Sequence, residues 1–255
     1  KSMQFEGKRA LVTGAGAGIG RQLALQLSKL GAEVFALSRT KSRLETLQEE
    51  DPKIKIIAVD ISDWEATRKA VGEVTPIHLL VNNAASFKIE NFLGATSESC
   101  DEMFAVNVKG PINITQVIVN DLLARGLKGS VVNVSSDSGI TGYVDTFVYA
   151  LSKAALDMFT KCAVVELSSK GIRFNSVNPT LVKTELAQLW IDDNQERATE
   201  LKNRIPLRRI PEISDVTNVI CFLLSEDSAM VNGHILPVDG GLLCGQVFLA
   251  DVKEE

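Results

Sequence analysis

The chain has 255 residues, with 27 Lys plus Arg against 32 Asp plus Glu, a formal charge of -5 at pH 7 and only 5% aromatic residues. A chain of this length buries about three quarters of its extended surface around one core, so a single domain over residues 3–255 is expected. The acidic balance, without a basic run or a stacking platform, argues against a nucleic-acid partner, and no run of 18 apolar residues marks a membrane span.

Lys1 and Ser2 precede Met3 and read as tag remnants, and the start through Glu6 has no apolar signal segment. Cys100, Cys162, Cys221 and Cys244 are widely separated, lie mostly in apolar surroundings and have no ligand spacing, which predicts free thiols in a reducing compartment. His78 and His234 share no pattern with cysteines or carboxylates, so no metal site is expected. A soluble, cytoplasmic protein follows as the expectation.

In chain order, short β-branched runs alternate with helical patterns, the signature of a parallel sheet with crossover helices. Strands are predicted over 9–13, 33–38, 55–59, 77–81, 130–134, 173–177 and 235–238. Between them come a helix to about Leu30, one over 41–50, one over 63–71 capped by Ser62, and a single long helix over 99–124. Helices over 147–169 and 213–224 complete the pattern, and the polar stretch 184–204, with Trp190, reads as a helical insertion that covers a site. The fold class predicted is α/β, a doubly wound Rossmann-type domain with a seven-stranded parallel sheet.

Thr13-Gly14-Ala15-Gly16-Ala17-Gly18-Ile19-Gly20 joins the first strand to the first helix, the context a dinucleotide loop needs. Gly14 permits the tight turn, Gly18 the close approach of phosphate, and Gly20 close packing of helix and sheet. The second strand ends in Ser38-Arg39-Thr40, where an NAD site usually carries an acid. A guanidinium there suits a 2'-phosphate, so NADPH/NADP+ is predicted; the bland alternative is a surface arginine that opens a helix. Asp60-Ile61-Ser62 follows the third strand, where Asp60 either holds an adenine edge or caps a turn. After the fourth strand, Asn82 and Asn83 can tie loops together while Ala84 leaves room for a ribose, although turn chemistry would also explain them.

Tyr149 and Lys153 are one helical turn apart and share a face. A phenol titrates near 10, and bringing it near 7 amounts to roughly 4 kcal/mol, a task for Lys153 and a positive nicotinamide. Ser136 ends the fifth strand, as a hydrogen-bond donor to a carbonyl oxygen or as a simple cap. Asn107 inside an apolar helix needs partners, and holding a water that links Lys153 with solvent is one use for its amide.

Through residues 13–20, Asn82 to Ala84, Asn107, Ser136, Tyr149 to Lys153 and Asn178-Pro179, the chain resembles the short-chain dehydrogenase/reductase family over its whole length. The resemblance implies a catalytic tetrad of Asn107, Ser136, Tyr149 and Lys153 and a homotetramer. It also implies that Lys153 holds the nicotinamide ribose and that Thr184 contacts the carboxamide, with Ile19, Ile61, Pro179 and Val182 beside the cofactor. Within the family, residues 36–40, 63–67, 79–85, 177–180 and 203–207 look most like the dicarbonyl/L-xylulose reductases. That likeness implies NADPH-dependent reduction of L-xylulose to xylitol and of α-dicarbonyls such as diacetyl. Ser136, Asp137, Thr146, Tyr149 and Trp190 are then the substrate-facing set. Asp137 and Thr146 depart from the Gln and His of that group; Asp137 would bind polyol hydroxyls and oppose anionic substrates. The tail from Leu242 is longer than usual, and Leu242 and Leu243 suggest closure against a partner. Two rival readings are another carbonyl or polyol oxidoreductase of this fold and a non-catalytic NADPH-binding oligomer.

Overall fold

Alternate side chains of a strand point to opposite faces of its sheet. In β1 (Arg9–Thr13), Ala10 and Val12 enter one apolar layer and Leu11 the other. β2 (Glu33–Ser38) divides likewise, with Val34 and Ala36 against Phe35 and Leu37. Burial on both faces explains the nearly continuous apolar runs. The remaining strands are β3 (Lys55–Ala58), β4 (Leu79–Asn82), β5 (Gly129–Val134), β6 (Ile172–Pro179) and β7 (Ile235–Val238). All pair in parallel, in the order β3-β2-β1-β4-β5-β6-β7. The computed structural model from which this is drawn describes residues 4–245.

Helices cover both faces. Leu23 and Leu27 of α1 (Gly18–Lys29), Leu44 and Leu47 of α2 (Lys41–Glu50) and Val216 and Ile220 of α9 (Ile213–Leu224) fill one layer. Val71 of α3 (Trp64–Gly72), Ile114 and Ile118 of α5 (Gly110–Ala124) and Ala163 of α6 (Phe147–Leu167) fill the other. The stretch 184–204 forms two short helices, α7 (Glu185–Asp193) and α8 (Gln195–Arg204).

Two sequence expectations change. The long helix over 99–124 is interrupted: α4 (Ser97–Phe104) passes into a π-helical turn at Ala105–Lys109 before α5 begins. Pro111 has no N–H for the usual helical bond to the Asn107 carbonyl, and the backbone widens there. The cap of α3 is Asp63, which accepts from the Ala66 amide at 2.9 Å. Ser62, one residue earlier, instead donates its amide and hydroxyl to Asp60 Oδ1, at 3.0 and 2.8 Å.

Among the described residues, no helix is long and apolar enough to cross a membrane. Cys100, Cys162, Cys221 and Cys244 are free; Cys221 alone is fully buried, while Cys162 and Cys244 are exposed rather than in apolar surroundings. Of the tail from Leu242, Leu242–Cys244 form a 3-10 turn. Residues 1–3 and 246–255 lie outside the described residues.

Candidate active site

The strand order reverses between β1 and β4, so the loops leaving their carboxyl ends diverge and open a crevice. Thr13 closes the floor: its hydroxyl accepts from the Asn83 and Ala84 amides at 2.9 and 3.0 Å. Asn83 Nδ2 returns a bond to the Thr13 carbonyl at 2.9 Å. Asn82 points the other way, donating to Asn133 Oδ1 at 2.8 Å and Thr115 Oγ1 at 3.2 Å. Both amides therefore tie elements together. The glycine loop is equally tight: Gly14 has φ +66° and a Cβ there would lie 2.8 Å from Ala84 Cα, while a Cβ on Gly20 would lie 2.5 Å from the Gly14 carbonyl oxygen.

A cleft of about 510 Å³ runs over this floor. Its walls include Gly14, Gly18, Ile19, Ser38, Arg39, Asp60, Ile61, Asn83, Ala84 and Thr184. Gly20, Thr40, Tyr149, Lys153, Pro179 and Val182 do not line it: Gly20 lies beneath the loop, Thr40 is exposed at the start of α2, Tyr149 is half-buried, and Lys153, Pro179 and Val182 are buried. Asp60 lines the cleft, and its carboxylate caps the turn to Ser62, whose hydrogen bonds hold it below the usual carboxylate range. Sequence reading missed Arg43, one helical turn after Arg39 and also in the wall. The spacing was visible, but an arginine inside a polar helix reads as a solvated face.

The residues present fit a phosphate-bearing dinucleotide. No side chain caps α1 and no acid lies in its first turn, so its leading N–H groups face the glycine loop without a side-chain partner. Arg39 and Arg43 take part in no ion pair among the described residues. They therefore offer guanidinium groups at the end of β2, where a 2'-phosphate needs them.

Asn107 is 1% exposed and knits the far end of the cleft to α6. Its amide exchanges two hydrogen bonds with the main chain of Ser86, a cleft residue, and Nδ2 also donates to Ser152 Oγ at 3.0 Å. Both amide donors are thus engaged, which differs from an amide kept free to hold a water. Ser152 Oγ donates in turn to the Tyr149 carbonyl at 2.7 Å. Phe87, next to Ser86, packs edge-on against the Tyr149 ring at 4.9 Å. A second strap was invisible in sequence: the Glu90 amide donates to the Asp145 carbonyl at 2.8 Å and the Phe147 amide to the Glu90 carbonyl at 3.1 Å. These main-chain bonds fix the start of α6, two residues before Tyr149.

The Tyr149 phenol is pushed up to about 12, chiefly by burial, against the lowering effect of Ser136 and with the negative Asp137 adding to the rise. Lys153 is pushed down to about 8 by burial, partly offset by Asp157. Its ammonium donates to the Val134 carbonyl at 2.8 Å and lies 5.5 Å from the Tyr149 ring centroid. With the ammonium turned to the sheet, burial dominates the phenol; the expected acidification joins Lys153 to a positive nicotinamide and concerns the cofactor-loaded site.

Asp137, expected to bind polyol hydroxyls, already has a partner from its own chain on each carboxylate oxygen. Oδ1 accepts from Ser136 at 3.0 Å and Oδ2 from Tyr143 at 2.9 Å. The Thr146 hydroxyl donates to the Tyr143 carbonyl at 3.0 Å. From α7, Leu189 and Glu185 reach the cleft wall, whereas Trp190 does not. Thr184 starts α7 at the cleft wall, its hydroxyl capping the helix by accepting from the Ala187 amide at 3.2 Å.

The comparisons with known proteins bear on this geometry as a set. Residues 14–243, from the glycine loop to the tail, match the family model described as enoyl-(acyl carrier protein) reductase. The chain is 46% identical to D-erythrulose reductase of Gallus gallus, over 94% of this chain and 98% of that one. It is also 46% identical to L-xylulose reductase of Homo sapiens, over 92% and 96%. Among solved structures, gluconate 5-dehydrogenase from Burkholderia cenocepacia J2315, in complex with NADP and tartrate, superposes with a TM-score of 0.89 at 29% identity, covering 95% of this chain and 98% of that one. The likeness spans nearly the entire length, and the chain, with its doubly wound sheet, a glycine loop at the switch point and a Tyr-Lys helix, belongs to the short-chain dehydrogenase/reductase family.

Proposed function

We propose that the protein is an NADPH-dependent carbonyl reductase acting on small ketoses such as L-xylulose, giving xylitol, and on α-dicarbonyls such as diacetyl. The observation that carries the reading is the placing of Lys153 beside the Tyr149 ring at the amino end of α6, with Ser136 after β5 facing the phenol, and the hydrogen bonds through Ser152, Asn107 and Ser86 that tie this helix to the cleft. The names of the relatives support it: reductases of D-erythrulose and L-xylulose, and carbonyl reductase [NADPH] 2 of Sus scrofa at 44% identity. The NADP in the gluconate 5-dehydrogenase complex and the Arg39–Arg43 pair support the cofactor.

When bound, NADPH supplies a hydride from C4 of its ring to the carbonyl carbon. The chain's own residues do the rest. Arg39 and Arg43 bind the 2'-phosphate, and the glycine loop and the α1 amino end bind the diphosphate. Asn83, Ala84 and Thr184 border the sugar and ring, and Lys153 holds the nicotinamide ribose. Ser136 orients the substrate oxygen, Tyr149 gives it a proton, and Asn107 holds the loop and helix in register. Residues 184–204 exclude water above the site, with Trp190 among those that close on the substrate. A homotetramer in the cytoplasm completes the proposal, the four free thiols being in keeping with a reducing compartment.

Steady-state turnover of L-xylulose and diacetyl with NADPH and with NADH tests both halves. Reduction with preference for NADPH is expected; no turnover of either carbonyl defeats the substrate assignment, and preference for NADH defeats the phosphate role of Arg39. Tyr149→Phe should lower kcat by about 10²-fold or more while NADPH binding is retained. Equal activity in that variant would remove Tyr149 as the acid, and tight binding without turnover in the wild type would favour a non-catalytic binder.

A further inference from the structure

Ser136 has one hydroxyl proton, and the Asp137 carboxylate and the Tyr149 phenol both lie within its reach. Ser136 Oγ donates to Asp137 Oδ1 at 3.0 Å and accepts from the Ser138 amide at 3.1 Å. Tyr143 Oη donates to the far oxygen, Oδ2, at 2.9 Å, and Thr180 faces the carboxyl. Asp137 is 5% exposed and pairs with no cation among the described residues.

An ionised carboxylate only accepts. A Ser136 that donates to it meets an incoming carbonyl oxygen with a lone pair, which repels. A protonated Asp137 reverses the chain of bonds: its O–H donates to Ser136 Oγ, and the Ser136 proton turns to the carbonyl. We propose that Asp137, steadied by Tyr143, is a positioning residue whose protonation sets whether the Ser136 hydroxyl donates to the substrate. The proposal rests on the carbonyl-reductase reading above.

The surroundings favour such a role. Burial raises the Asp137 carboxyl above the usual carboxylate range, against the donors that lower it. The groups facing it are Ser136 and Ser138 from its own turn, Tyr143 from the following loop, Tyr149 from α6 and Thr180 after β6. Arg204 of α8 and Asp239 after β7 act on Tyr143 with opposite signs. A negative Asp137 also raises both phenols, so its charge hinders Tyr149 as well as Ser136.

The test is the pH profile of kcat/KM for L-xylulose reduction by the NADPH-loaded wild type, Asp137→Asn and Tyr143→Phe. The wild type should lose at least threefold as Asp137 ionises. Asp137→Asn should lack that limb. Tyr143→Phe should move it to higher pH, since a donor that favours the carboxylate is gone. If Asp137→Asn does not fold, the Tyr143→Phe shift decides. A readout independent of turnover uses the fact that the chain has only 2 tyrosines. With 13C-labelled tyrosine, the Tyr143 ring signal should titrate with Asp137 in the wild type, well below the range of any phenol. A Tyr143 signal indifferent to pH, or an unchanged limb in Asp137→Asn, overturns the proposal while leaving the reductase reading intact. A wild type that reduces no carbonyl removes both.

Discussion

Asn107 and Ser86 clasp each other through one side-chain amide: the Ser86 N–H donates to Asn107 Oδ1 at 2.7 Å, and Asn107 Nδ2 donates to the Ser86 carbonyl at 2.9 Å. This exchange joins the loop after β4 to the π-helical turn, and through Ser152 to the helix of Tyr149.

Replacing Asn107 by Ala leaves both half-buried Ser86 main-chain groups without this partner and removes the donor to the buried Ser152 hydroxyl. At about 1–3 kcal/mol for an unpaired buried group, a loss of roughly 3 kcal/mol is expected. For a chain of this size that lowers Tm by roughly 6–12 °C. Thermal unfolding checks the stability, and kcat/KM should fall by tenfold or more because the Tyr149 helix loses its tie to the cleft.

Gly14→Ala should damage the cofactor loop. The residue has φ +66°, and its new Cβ would meet Ala84 Cα at 2.8 Å, backbone that cannot swing aside. A loss of about 2 kcal/mol or more is expected, with NADPH binding weakened by at least tenfold in a fluorescence titration. Unchanged affinity would show that the loop relaxes without moving its N–H groups.

Arg39→Ala and Arg43→Ala should each weaken NADPH binding by roughly 10- to 150-fold, as expected for a lost charge-assisted bond of roughly 1.5–3 kcal/mol. NADH affinity should change little in both. Calorimetric titration with the two cofactors separates the effects, and an equal loss for NADH would place these arginines on something other than the 2'-phosphate.

Lys153→Met should be inactive yet no less stable at pH 7. Burial depresses the Lys153 ammonium to about 8, below its unfolded value near 10.5, so the folded state disfavours its charge. The unfolded chain then binds more protons between those values, and wild-type stability rises with pH from about 8 to 10.5. The variant lacks that rise. Removing the charge returns up to roughly 3 kcal/mol, less the bond to Val134. Denaturant unfolding at pH 7 and pH 10 reads both, and a variant much weaker than wild type at pH 7 would contradict the burial argument.

Much of the sheet was legible because its physics is local. Alternation and apolar runs located β1, β2 and β7 at their observed bounds, and caps and breakers did the same for α2 and α9. The glycine loop, Ser38, Arg39, Asn83 and Ala84 were legible as cleft residues because loop position at a switch point follows from strand order. Asn107 was recognisable as an amide in apolar company, but its partner Ser86 was not, since that contact joins segments distant in sequence. The π-helical turn escaped notice although Pro111 was in view, because periodicity over a long apolar helix outweighs one residue.

The sequence by itself determined the seven alternating strands, the glycine turn and the one-turn spacing of Tyr149 and Lys153, all set by backbone sterics and side-chain periodicity within a few residues. Only the tertiary structure decided where protons and charges go. It turned the Lys153 ammonium to Val134, gave the Ser136 hydroxyl to Asp137, placed Tyr143 on the opposite oxygen and brought Arg43 beside Arg39. Those outcomes depend on burial and on contacts between loops, where the free energy of a group is fixed by neighbours that sequence spacing does not name.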